Sequence, residues 1–240
     1  MIMKHLLSIS AISMFAVSLA AAESSPKVEV TTAARKLAEN SYGWKTTIEV
    51  PESSQFRPGP TEGKIDRDGT VFLVLTLRDN TVETVKKGDK GAVKMEDGWR
   101  SFAELTSGHG QPNRGMFIAR MVQNLKAPAA QAEELVGFAK DLNKTDGAYA
   151  SDLTETGAKQ LLTFGPRRGG GPQPPEPKGA KGSLKIWLKD GMLTKYQYNV
   201  QGKISFNDQE FDIDRTTTTE MKDVGSTKVV VPDEAKSKLQ

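Results

Sequence analysis

Cysteine is absent from this chain of 240 residues. Its absence excludes disulfides, thiolate metal sites and a cysteine nucleophile. It also excludes the lipid-modified N-terminal cysteine that tethers many envelope proteins to a membrane. Histidine is nearly absent: the 2 residues are His5 and His109, too far apart for the close spacing that an imidazole metal site needs. Neither sign of charge dominates, with 33 Lys and Arg against 30 Asp and Glu. The clustered basic excess of a nucleic-acid binder is therefore missing, and no nucleic-acid partner is expected. There is no G-x-S-x-G nucleophile elbow and no G-x-x-x-x-G-K-[ST] phosphate loop. Past Ala22 no uncharged apolar run is long enough to span a bilayer.

What is present begins with the leader. Lys4 and His5 form a positively tipped start, Leu6 to Ala22 carries no charge, and Ala20-Ala21-Ala22 precedes Glu23. Ala20-x-Ala22 has the small-residue spacing of a signal-peptidase site, which places cleavage between Ala22 and Glu23. The expectation is an exported protein, periplasmic or extracellular, released rather than tethered. Export without disulfides points to a bacterium.

Residues 23 to 240 read as a single domain. After a polar, frayed start, Thr31 or Thr32 is placed to cap a short helix with Ala34, Leu37 and Ala38 on one face. Trp44 to Val50 reads as a strand, and the proline-rich segment 51 to 60 as a loop. Thr70 to Leu77 is the strongest strand, its run Val71-Phe72-Leu73-Val74-Leu75 suggesting burial on both faces. Thr81–Val85 returns as its partner, and Ala92–Met95 pairs with Trp99–Phe102 around Asp97-Gly98. Three helices follow. One is capped by Asn113 with Phe117, Met121 and Leu125 as its stripe. The next opens on Pro128 with Ala132, Leu135, Val136, Ala139 and Leu142. The third covers Thr154 to Phe164, with Asp152 and Glu155 at capping-box spacing. Segment 165 to 182 is a Gly/Pro-rich loop made basic by Arg167, Arg168, Lys178 and Lys181. Beyond it Leu184, Ile186 and Leu188 alternate with polar residues up to the Asp190-Gly191 hairpin signal. Tyr196, Tyr198 and Val200 continue one face, Gly202 marks a turn, and strands over Ile204–Phe206, Phe211–Ile213, Thr216–Met221 and Lys228–Val231 precede a closing helix, Asp233–Leu239. Strands, then helices, then strands define an antiparallel α+β domain.

Few residues offer chemistry. His109 sits between glycines with no serine motif to serve. Asp208, Glu210, Asp212 and Asp214 alternate along one strand and share a face. Ile213 stands where a calcium loop needs glycine, so a solvated outer face opposite Phe211 and Ile213 is the expectation. Gly169-Gly170-Gly171 runs into Pro172 and makes no phosphate cradle. The basic loop offers contact with an anionic surface or serves as a plain connector. Neither a catalytic residue nor a cofactor or metal is expected.

The tail series Ile186-Trp187-Leu188-Lys189-Asp190-Gly191, Lys195-Tyr196, Asp223-Val224-Gly225 and Val231-Pro232-Asp233-Glu234-Ala235 resembles the close of bacterial LolA-like exported proteins. With the element order, it is similar to the LolA/LolB and LppX-type lipoprotein-carrier superfamily. That resemblance implies a strongly curved antiparallel sheet, an unclosed β-barrel, with helices packed on its concave side. It further implies a cavity for acyl chains or another apolar ligand, lined by Leu73, Leu75, Leu77, Ile186, Leu188, Tyr196, Tyr198 and Phe206. LolA-type carriers use a sheet arginine that hydrogen-bonds the helical lid; Arg57 and Arg67 lie in the corresponding half, with no motif around them. The expected role is a soluble, monomeric, non-enzymatic binder of a lipid-like ligand, a carrier of lipid or lipoprotein. Its rival is an interaction module of the cell envelope with a filled core, whose partners are other envelope proteins.

Overall fold

The computed structural model describes residues 24–54, 57–77, 80–107, 113–163, 176–206 and 209–239. Helix α1 (Pro26–Ala38) begins earlier than the sequence reading has it. Ser25 caps it by accepting from the Val28 N–H, Pro26 occupies the first turn, and Val30, Ala33, Ala34 and Leu37 form its buried stripe. Six strands follow as a meander: β1 (Tyr42–Glu49), β2 (Thr61–Ile65), β3 (Thr70–Leu77), β4 (Asn80–Lys87), β5 (Lys90–Met95) and β6 (Gly98–Ser101). Ser101 and Glu104 make a capping box that turns Phe102 into the start of α2 (Phe102–Thr106) instead of a strand end. Next come α3 (Arg114–Gln123), α4 (Pro128–Phe138), the hairpin β7 (Asn143–Thr145) and β8 (Ala148–Asp152), and α5 (Glu155–Leu162). Three long strands, β9 (Lys178–Lys189), β10 (Met192–Phe206) and β11 (Gln209–Lys222), lead to α6 (Asp233–Lys236) and a 3-10 turn, Ser237–Leu239.

All described strands join one 11-stranded antiparallel sheet in the order β6-β5-β4-β3-β2-β1-β11-β10-β9-β8-β7. The pairing of β1 with β11 joins an N-terminal half to a C-terminal half. Terminal strands β6 and β7 do not pair with each other, so the sheet is unclosed. Directly opposite residues share a face, and the registers align one row across eight strands. It runs Tyr149, Ile186, Tyr196, Thr219, Thr46, Thr61, Leu75, Val82. This row faces the helices. Against β9 and β10 lie α1 and α5, with α4 packed on both of those helices; α3 lies against β4 and β5, and α2 against β5 and β6. A parallel row sets Trp44 opposite Gly63 and Gly63 opposite Leu73. Glycine is required there because a Cβ would overlap the Trp44 indole.

The other face has its own small core. Val85, Ala92 and Trp99 are covered by Ala235, with Phe72, Val231 and Leu239 packed around them. The continuous apolar run of β3 thus serves two cores, Leu73 and Leu75 under the helices and Phe72 under the C-terminal strap.

Several local expectations are corrected. In α3 the buried residues are Met116, Ile118, Ala119 and Val122, while Phe117 points outward. Thr154, not Asp152, caps α5 by accepting from the Gly157 N–H. Gly202 is not a turn: β10 runs through it, with a register irregularity against β9 between Gln201 and Lys203. Lys178 and Lys181 belong to β9, so the last residues of the Gly/Pro-rich segment are strand. Segment Lys228–Val231 forms no strand and leads into the strap.

Candidate functional site

The interface between helix layer and sheet is the candidate site. Its residues arrive from strands as single polar side chains that meet helix ends. Helix α4 starts at Ala127, which has no side chain to cap it. The Tyr42 hydroxyl of β1 does that work instead, accepting the Ala129 N–H at 3.3 Å. Burial pushes the Tyr42 phenol up to about 12. On the same helix Gln131 accepts the Tyr196 hydroxyl at 2.6 Å, and burial raises the Tyr196 phenol further. At the C-terminus of α3, Lys86 of β4 donates to the carbonyls of Val122 at 3.2 Å and Gln123 at 2.7 Å, where the helix leaves its carbonyls unpaired. Burial holds the Lys86 ammonium below its ordinary range. Arg215 of β11 donates to the Leu161 carbonyl in the last turn of α5, and burial lowers its pKa too. Tyr149 of β8 donates to the Glu29 carboxylate on α1, which raises the phenol to about 12 and lowers the carboxyl. Helices α1, α3, α4 and α5 are thus each fastened to the sheet by a polar side chain.

The resemblance-based lining residues fall into two groups on this interface. Leu73 and Leu75 in β3, and Ile186, Tyr196 and Tyr198 in β9 and β10, are buried in one continuous cluster, with Leu77 and Leu188 partly buried against it. Phe206 ends β10. Between the groups lies a threonine band that sequence reasoning passed over. Thr217 and Thr219 are buried, and Thr46 and Thr219 share a hydroxyl–hydroxyl hydrogen bond of 2.9 Å. The run Thr216–Thr219 was a usable signal, since alternate members of a strand must face the core. Thr84, fully buried on the same face, has a hydroxyl without a partner among the described residues.

An open cleft of about 780 Å³ lies at the edge of this interface. Strands β4 and β5 pair only as far as Thr84 and Val93 toward that end. Past that point Val82 and Met95 line the cleft together with Ile118 and Arg114 of α3. Ion pairs hold Glu83 to Lys94 at 2.9 Å and Asp97 to Arg100 at 2.7 Å. A second cleft, about 500 Å³, is a polar hollow beside β7–β9 that includes Lys140, Asp141, Asp152 and Lys185.

The other candidates lie elsewhere. Glu210 pairs with Lys178 at 2.7 Å, Asp212 with Lys203 at 3.5 Å, and Asp214 accepts from Asn199 at 2.8 Å. These carboxylates belong to cross-strand pairs at the solvent face, and the Lys178 hydrogen bond lowers the Glu210 carboxyl. A general acid working near neutral pH needs the opposite shift. Arg57 donates to the Glu52 carbonyl at 2.6 Å and Arg67 lies exposed in a turn; the sheet arginine that meets a helix is Arg215. Ala22, Glu23, His109, Arg167, Arg168 and Asp208 lie outside the described residues. Among the described residues no helix is long and apolar enough to cross a membrane.

Fold and interface define an α+β protein with an unclosed antiparallel sheet and a helix layer fastened across one face. No family model matches the chain, and no curated protein matches it. Among solved structures it is similar to the lipoprotein LppX of Mycobacterium tuberculosis, at 12% identity over 86% of this chain and 98% of that one, with a TM-score of 0.44. LprF of Mycobacterium bovis gives 11% identity over 88% and 97%, with a TM-score of 0.44. A LolA superfamily protein from Nitrosomonas europaea gives 10% over 86% and 96%, with a TM-score of 0.32.

Proposed function

We propose that this chain is an exported, non-enzymatic carrier that holds an apolar, lipid-like molecule between its helix layer and its sheet, with no cofactor. The observation that carries the reading is how the sheet is covered. Four helices of 8 to 13 residues each lie over an apolar face and are fastened at their ends by side chains from the sheet. One such hydrogen bond contributes about 1 kcal/mol. An acyl chain of a dozen methylenes would gain roughly 10 kcal/mol on burial, at about 0.8 kcal/mol each. A ligand that lifts a helix therefore offsets the lost hydrogen bond and, with its own chain, replaces the apolar contact that the helix's buried stripe gives up. The cleft beside Val82, Met95 and Ile118 gives an entry, and the unpartnered Thr84 hydroxyl and the threonine band offer hydrogen bonds to an ester or carboxyl group. Leu73, Leu75, Leu77, Ile186, Leu188, Tyr196, Tyr198 and Phe206 are the lining of this reading.

One observation favours a rival, an envelope interaction module with a filled core: Leu73, Ile186 and Tyr196 are at 0% exposure in one unbroken cluster. Native mass spectrometry of the secreted protein, with solvent extraction of the same sample, separates the two. Co-purified lipid, or uptake of a fluorescent fatty acid by the extracted protein, is expected. A protein that carries nothing and ignores the added fatty acid would be the filled-core module.

A further inference from the structure

We infer that α3 is a membrane-docking element that seats on an anionic lipid surface, with the Phe117 ring entering the interface and Arg114 and Arg120 lying among the headgroups. Phe117 is 62% exposed in the middle of a helix whose other face is fully packed. Positions 114, 117, 120 and 124 share the outward face at helical spacing, while Met121 beside them packs against the main core, so the phenyl ring is flanked by an arginine one turn before and one turn after. Neither arginine enters an ion pair among the described residues.

Charge decides the partner. The chain carries 30 acids, yet from Leu105 to Ala132 there is none, while Arg114, Arg120 and Lys126 all fall in that stretch. Lys126 is engaged by Glu134 at 2.6 Å. On the neighbouring cleft rim Glu83 and Asp97 are taken up by Lys94 and Arg100, which leaves Glu96 as the opposing carboxylate there. The apolar face of α3 is spent on the core, so its outward face would bind through headgroup attraction to the arginines and burial of the one phenyl ring at the interface. An acidic protein partner would match the arginines but give the phenyl ring no depth to enter. Lys86 fixes the C-terminal end of α3 to the sheet, so the docked face has a set orientation. Because Arg114 and Ile118 also line the cleft, docking turns its mouth toward the bilayer. The inference stands apart from the carrier reading, since a chain with a filled core would dock in the same way.

Co-sedimentation of the secreted chain with vesicles tests it, using mixed phosphatidylcholine and phosphatidylglycerol against phosphatidylcholine alone. Binding to the anionic vesicles that weakens with added salt is expected. Each arginine removed should cost about fivefold in partitioning, so the double variant R114Q/R120Q should lose about twenty-five-fold. Phe117→Ala should lose several-fold at unchanged salt dependence. Val230→Ala, at another exposed apolar residue (80% exposed), should bind as the parent. Equal binding to phosphatidylcholine, no binding to either, or variants that partition like the parent would overturn the inference. So would a Phe117→Ala protein that loses self-association in sedimentation velocity, which would make the face a protein interface. Lipid extraction from the same variants keeps this result separate from the carrier reading.

Discussion

Tyr42 carries two roles that are separable by pH. Its ring packs in the main core at 5.9 Å from the Trp44 ring, and its hydroxyl supplies the cap that Ala127 cannot. Replacing it by Phe keeps the ring and removes the cap, which should cost about 1 kcal/mol in chemical denaturation. The same hydroxyl links stability to alkaline pH. A phenol raised from 10.0 to about 12 on folding keeps its proton longer in the folded state. Its contribution is therefore fully present below the unfolded value and is lost as pH rises through the folded one. Tyr149, also raised to about 12, acts in the same window. The urea midpoint of the parent should hold up to about pH 10 and fall toward pH 12, and Tyr42→Phe should fall less steeply over that range. A variant with the parent's slope would show that Tyr42 is not one of the linked groups.

Each helix of the layer should behave as a semi-independent unit, and Lys86 is the place to see it. Lys86→Met keeps the aliphatic stem and removes the donor to the end carbonyls of α3. The expected outcome is hydrogen exchange about tenfold faster in Arg114–Gln123, from about 1.4 kcal/mol less protection, with β9 and β10 unchanged. Equal acceleration everywhere would mean that the layer opens only with the whole molecule. At this scale the sequence was readable where apolar residues alternate or recur at helical spacing. Thr70–Leu77 is β3 as read, and Leu184, Ile186 and Leu188 lie along β9. It was mute where tertiary packing decides. Thr61–Ile65 is polar and holds a glycine, yet it is an interior strand because Gly63 lets the Trp44 indole lie over it. Strands β7 and β8 are short, and the turn residues Asp146 (φ 49°) and Gly147 (φ 77°) that join them were a Asp-Gly signal left unread. Of the expected α3 stripe, Met121 and Leu125 pack against the main core, but Phe117 is turned to solvent because Met116, Ile118, Ala119 and Val122 take the buried face. The fastenings were beyond reach, because residues 36 to 120 positions apart in sequence come together only through the sheet.

At the scale of the whole molecule the two half-sheets meet at β1 and β11, where Trp44 faces Met221 at one end and a threonine band, Thr46 opposite Thr219 with Thr217 beside it, follows on the same face. The largest buried side chains flank that band: Trp44, Tyr42, Leu73 and Phe102 on one side, Tyr196, Leu184 and Ile186 on the other. The layer bridges the halves, since α4 is fastened both to Tyr42 of β1 and to Tyr196 of β10. A ligand seated beneath the layer would touch both halves at once and would bind the folded chain alone. Mass action then predicts a gain of about 2.7 kcal/mol at a free ligand concentration one hundred times the dissociation constant. For a domain of this size that corresponds to a rise in Tm of roughly 5–10 °C. Differential scanning fluorimetry of the lipid-extracted protein with a graded series of fatty acids reads it. Because burial scales with methylene count, the shift at fixed ligand concentration should grow with chain length and level off once the space beneath the layer is filled. A shift that does not depend on chain length would place the fatty acid outside the layer, and no shift at any length would leave the interface as a packed core.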